Sequence, residues 1–166
     1  GHFNNSQLKE LYLDREVTFV IQQMLPDLFD KIKKKQVIDK EIQFLQKAVA
    51  IYSPDQKTNQ AIADFIFTII ETDDEKLLNL SNSFINDLII QYPDFQSFFF
   101  RSDESIRLWT SCFIQNPQSN QIIGPIFIHA IQIYNIRTID KVKSLLSAIL
   151  NSFEYMKICE DTAQNS

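Results

Sequence analysis

Glycine is nearly absent from this chain: two residues in 166, where ordinary usage would give about a dozen. One of them, Gly1, opens a Gly-His pair that reads as the remnant of a cleaved tag, which leaves Gly124 alone. Tight hairpins need residues at positive φ, and phosphate-cradling loops need backbone that nears its ligand with no Cβ between. Rossmann, P-loop and hairpin-rich β folds are therefore disfavoured. Cysteine is as scarce. Cys112 and Cys159 lie far apart in apolar helical contexts, which suits small buried hydrophobes in a reducing, intracellular setting better than a disulfide framework. The histidines are His2, from the same terminal pair, and His129. Neither CxxC nor HxxxH occurs, so no metal and no other cofactor is expected. Long apolar runs are missing too. Ile122 to Ile136 contains Pro125, His129, Gln132 and Asn135, and falls short of the roughly 20 apolar residues that span a bilayer. The polar start carries no signal-peptide pattern.

What is present describes a water-soluble globule. Hydrophobic residues make up 45% and charged residues 22%, with 14 Phe, so a large core rich in flat side chains is expected. A chain of this length buries roughly 70% of the surface it exposes when unfolded, without help from disulfides or metals. The net charge of −5 and pI near 5.0 repel nucleic-acid phosphates and anionic lipid over the chain as a whole. The expected organisation is a tag remnant and disordered start over 1–5, a single all-helical domain over 6–160, and a frayed end over 161–166.

Helical periodicity dominates. Ser6 can cap a first helix from Gln7 that carries Val17, Val20, Ile21 and Met24 until Pro26 kinks or restarts it. Leu28, Phe29 and Ile32 follow, ending in a lysine cluster that suits a helix C-terminus. Asp39 can cap a helix with Ile42, Leu45, Val49 and Tyr52 on one stripe, widened by Phe44, Ala48 and Ile51, up to Ser53-Pro54. Ile62, Phe65, Ile66, Ile69 and Ile70 share one face by i, i+3, i+4 spacing. Thr72 or Asp73 can cap the next helix, with Leu77, Leu80, Phe84, Ile85, Leu88, Ile89 and Tyr92, which Pro93 ends. A short segment from Asp94 to Phe100 leads to Ser102, a cap for a helix with Ile106, Trp109, Cys112 and Phe113 closed by Asn116-Pro117. Ser119 opens the apolar stretch, which Gly124-Pro125 is expected to divide. Thr138 can cap a last helix with Ile139, Val142, Leu146, Ile149, Leu150, Phe153 and Met156 on one stripe.

Short connections between helices of this length favour antiparallel neighbours. The fold class is all-α: antiparallel helices stacked as a short right-handed array, or alternatively a compact helical bundle. Helix starts near 39, 54, 73, 103, 119 and 139 give the chain, over Asp39 to Met156, an architecture that resembles armadillo or HEAT repeats of about 40 to 47 residues. That resemblance implies stacked helix pairs, and only the architecture is taken from it. In peptide-binding armadillo proteins a Trp and an Asn one turn apart line the groove. Here the residue one turn after Trp109 is Phe113, so backbone clamping of that type is not implied.

No constellation of nucleophile, base and orienting group emerges, and a non-catalytic chain is expected. His129, inside an apolar helix, reads as a hydrogen-bonded core or groove histidine. The carboxylate pairs Asp73-Asp74 and Asp103-Glu104 precede helices, where acids serve as caps. Lys31, Lys33, Lys34 and Lys35 form the one dense basic patch, able to meet an anionic headgroup, phosphates or an acidic segment, or simply to solvate a helix end. Phe98, Phe99 and Phe100 point about 100° apart on a helix, so at least one should be exposed unless another element covers it. With Arg101, Arg107 and Trp109 they have the composition of a binding surface, although a short helix wedged between layers would bury them. The expected function is a protein-protein interaction module within a larger scaffold or regulatory subunit, its partner another protein. The alternatives are an adaptor recruited to anionic lipid or nucleic acid through the lysines, or a homo-oligomerisation domain.

Overall fold

The structure is a computed structural model that describes residues 4–52, 54–136 and 140–151. Every regular element among them is helical, and no described helix is long and apolar enough to cross a membrane. The chain divides into two compact units, 1–68 and 69–166, with the division inside the third helix.

The first unit begins with α1, Asn5–Lys33. Its cap is Asn4 rather than Ser6. The Asn4 Oδ1 accepts from the Gln7 N–H at 2.8 Å, and the Gln7 side chain returns a bond to the Asn4 N–H, a capping box that satisfies two otherwise orphaned donors. The expected break at Pro26 does not occur. Buried Ile21, Leu25, Leu28 and Ile32 keep one apolar stripe in register across the proline, and Pro26 faces solvent. The Gln22 carbonyl, deprived of its donor four residues on, sits on an exposed residue where water can replace the bond. α1 ends with Lys35 at φ 56°, where Gln36 N–H bonds the Lys31 carbonyl and Lys35 N–H bonds that of Ile32, the hydrogen-bond pattern of a Schellman terminus.

α2, Asp39–Ile51, starts at Asp39 itself; Ile38 occupies the cap position and makes no side-chain cap bond. The expected Asp39 cap is corrected to a first-turn acid, which favours the helix dipole without closing a ring. Ile42, Leu45, Ala48 and Val49 are buried. α3, Gln56–Glu71, is opened by Asp55, whose carboxylate accepts from the Thr58 N–H at 2.7 Å. Within the unit, α1 and α3 are joined by an edge-to-face pair of Phe29 and Phe65 with centroids 5.7 Å apart and by a 2.8 Å bond from Gln22 Nε2 to Thr58 Oγ1.

In the second unit, α4, Glu75–Asn86, is capped by Asp74, which accepts from the Lys76 and Leu77 N–H groups. Neither Thr72 nor Asp73 is the cap. The Thr72 hydroxyl bonds back to the Ile69 carbonyl. Asp73, at φ 51°, reaches across to accept from the Ser119 N–H at 2.7 Å. α4 runs into a π-helical turn, Asp87–Gln91, and α5, Pro93–Phe100, follows with its proline in the first turn. α6, Asp103–Gln115, is capped by Ser102 through the Ser105 N–H at 3.2 Å.

α7, Pro117–Ile133, runs unbroken through Gly124-Pro125, again because the proline is exposed and the apolar register continues on both sides of it, through Ile123, Ile126, Phe127, Ala130 and Ile131. It packs against α4, the π turn and α6. α8 covers residues 142–151; Thr138, Ile139, Phe153, Met156 and Cys159, which figured in the sequence reading, lie outside the described residues. α8 buries Val142, Leu145 and Ile149, so Leu146 and Leu150 of the expected stripe sit to one side of the buried seam, Leu150 being half-exposed.

Candidate functional site

The aromatic cluster expected at a surface is the core of the second unit. Phe127 on α7 is its hub, with ring centroids 6.0 Å from Phe99, 5.4 Å from Phe100, 4.9 Å from Trp109 and 5.0 Å from Phe113. Phe99, Phe100 and Trp109 are buried, which removes them from any binding surface. Three consecutive phenylalanines can be accommodated because α5 is wedged against other elements: Phe99 and Phe100 meet α7, while Phe98 is half-buried against Phe95. Of the six residues expected to bind a partner, Arg101 and Arg107 are exposed, and they are not joined by the aromatic anchors that would make a hot spot.

The lysine patch is also reduced. Lys31 is half-buried and bridges Asp27 at 3.4 Å and Glu41 at 3.2 Å, contacts that raise its pKa, the Glu41 hydrogen bond first. Lys34 pairs with Asp30 at 2.9 Å. Lys33 and Lys35 remain exposed without a carboxylate in ion-pair range among the described residues. Two of the four charges are thus neutralised by helix neighbours before any ligand arrives.

His129 stands on the exposed side of α7 with Pro125, Gln132 and Ile133. It is not a core histidine, and α7 is not apolar all round. Asp74 and Asp103 serve helix starts. Cys112 is buried and free, its thiol pushed up to about 11 by burial, with Glu71 and Asp73 adding to the effect and the Asn116 N–H opposing it. A thiol so held is protonated near neutrality and poorly nucleophilic. Among the described residues no group of three or more His, Cys, Asp or Glu is gathered as a metal could require.

Depressions open among the described residues of the second unit, three of which bear on a site. One of about 460 Å³ between α4 and α7 is lined by Glu75, Asn79, Asn82, Gln118, Gln121 and Ile122. One of about 670 Å³ between α7 and α8 is lined largely by Ile128, Ile131, Val142, Leu146 and Leu150. The third, about 340 Å³, lies between the outward face of α6 and the start of α8, where Arg107, Thr110, Ser111 and Ile114 meet Lys141 and Ser144. Positions 107, 110, 111 and 114 share one helical face by i, i+3, i+4 spacing, turned away from buried Ile106, Trp109 and Phe113. Ile114 is 66% exposed and Leu108, on the same outward side, 51%.

Sequence reasoning reached Arg107 in this set and missed Thr110, Ser111, Ile114, Lys141 and Ser144. The α6 residues were within reach, since they are the complement of the buried stripe. Lys141, just before α8, and Ser144, in its first turn, are joined to it by folding alone.

The chain matches no family model, no curated protein and no solved structure. Its all-helical fold stands on the structure itself, and no relative lends it an activity.

Proposed function

We propose that this chain is a non-catalytic protein-interaction module, a domain of a larger scaffold or regulatory subunit inside the cell, and that it meets its partner with the outward face of α6 and the adjoining start of α8. The observation that supports this reading is the composition of that face. Two exposed aliphatic side chains, Leu108 and Ile114, stand beside two cations that have no carboxylate within ion-pair distance among the described residues. Arginine is enriched in contact patches, which set an apolar centre within a polar rim. The lysine cluster at the end of α1 supports lipid or nucleic-acid recruitment less well, because Lys31 and Lys34 already have partners.

A photo-crosslinking residue at Ser111, compared in cells with one at Asn79 on α4, tests the reading. The expected result is one adduct of defined mass from position 111 that disappears on Ile114→Asp. Equal, diffuse adducts from both positions, or none from position 111, would remove the α6 face from consideration.

A further inference from the structure

The depression between α6 and α8 has a donor inventory out of keeping with the charge of the chain. The protein carries a net charge of −5, yet no carboxylate lines this hollow among the described residues, while Arg107 and Lys141 both do. Glu104, one turn before Arg107, is exposed and out of ion-pair range. Asp140 lines the other hollow, between α7 and α8, together with Lys143. Lys141 is half-buried and has no carboxylate within ion-pair distance among the described residues.

The hydroxyls add to this. Thr110 spends its proton on the Ile106 carbonyl at 2.7 Å and contributes lone pairs only. Ser111 accepts from Gln115 Nε2 at 3.4 Å, which leaves its O–H free to donate. No protein partner claims the Ser144 hydroxyl among the described residues. A guanidinium, an ammonium and two hydroxyl donors therefore line one hollow, where the acceptors among the described residues are neutral hydroxyl oxygens and not carboxylates. Arginine's planar fork and lysine's point charge are together suited to a tetrahedral oxyanion.

We infer that this hollow binds a phosphate monoester dianion, presented by a phosphorylated side chain of the partner with Ile114, which lines the hollow, taking its apolar flank. This rests on the α6 face being the contact surface, but the anion site is testable without any partner. The ¹⁵N-labelled full chain would be titrated with inorganic phosphate against chloride at matched ionic strength. Saturable amide shifts are expected at positions 107, 110, 111, 141 and 144, with affinity in the millimolar range because the hollow is open. The variant carrying Arg107→Gln and Lys141→Gln, checked by circular dichroism, should bind at least about tenfold more weakly, the loss expected for one or more charge-assisted contacts. No saturable shift, or the same response in the double variant, would overturn the site.

A second arm uses a short phosphoserine peptide with leucine beside the modified residue. Binding about tenfold tighter than inorganic phosphate, and lost on Ile114→Asp, identifies a partner side chain as the source. Equal affinity would overturn the peptide assignment and leave a free small phosphate. A failed crosslink with phosphate binding intact would count against the interaction surface alone.

Discussion

Replacing Phe127 by alanine is the sharpest probe of how the second unit is held together. The ring is fully buried and meets four others, three of them edge-to-face, with Phe99 at 89°, Phe100 at 68° and Phe113 at 77° between planes. Burial of a phenylalanine, with the cavity its loss leaves, is worth about 3–5 kcal/mol, a large share of the roughly 5–15 kcal/mol that keeps a domain folded. With a urea slope of about 2 kcal/mol per molar for a chain of this size, the midpoint should fall by about 2 M. The readout is built in: Trp109 is the sole tryptophan, its ring 4.9 Å from Phe127, so its fluorescence follows the second unit. Phe127→Leu keeps most of the apolar volume but none of the ring geometry, and should cost about 1 kcal/mol, the upper part of the range for near-isosteric swaps. A fall below about 0.5 M for the alanine variant, converted with the same slope, would refute the hub. Equal midpoints for alanine and leucine would show that filling the space contributes nothing.

Two further substitutions act through the backbone. Gly124→Ala gains about 1 kcal/mol of helix propensity, but its Cβ would lie 2.6 Å from Asn120 Oδ1 and 2.9 Å from Ile149 Cγ2. Overpacking costs about 1–3 kcal/mol and displaces the Asn120 bond to the Ala148 carbonyl, so a net loss of about 1 kcal/mol is expected in urea melts followed by Trp109; a gain in stability would show that α7 and α8 have slack there. Lys35→Gly should raise stability by about 1 kcal/mol, since Lys35 holds φ 56° on an exposed residue where a Cβ is a hindrance; a lower midpoint by circular dichroism would mean that the lysine stem contributes more than the strained backbone costs.

The helices were legible because their apolar stripes repeat with the helical period, and the caps and breaks were less so. At Pro26 and Pro125 the local rule, that a proline ends a helix, met a longer-range signal, the register of buried residues on both sides, and the register prevailed. Both prolines face solvent, where the freed carbonyls of Gln22 and Gln121 can bond water. The caps show the same limit in reverse. Asp73 is a sound local candidate beside Asp74, and only the packing of α7 reveals that its carboxylate is used by Ser119.

Glycine scarcity argued correctly against hairpins, yet it did not abolish positive φ. Lys35, Asp73 and Asn135 take it up, at 56°, 51° and 52°, each just past a helix end where the reversed turn satisfies otherwise orphaned carbonyls. The one internal glycine serves a different need: Gly124 has no positive φ and is small because Asn120 and Ile149 occupy the place of its side chain. A composition count therefore reports which folds are strained, and cannot say where the chain tolerates the strain. The same reasoning separates the two halves of the predicted surface. Phenylalanine and tryptophan side chains at α5 and α6 lose more by exposure than Arg101 and Arg107 do, so folding draws Phe99, Phe100 and Trp109 inward and leaves the arginines outside. What remains at the surface is set by what the core rejects. On α6 that remainder is Arg107, Ser111 and Ile114, and only folding brings Lys141 and Ser144 beside it.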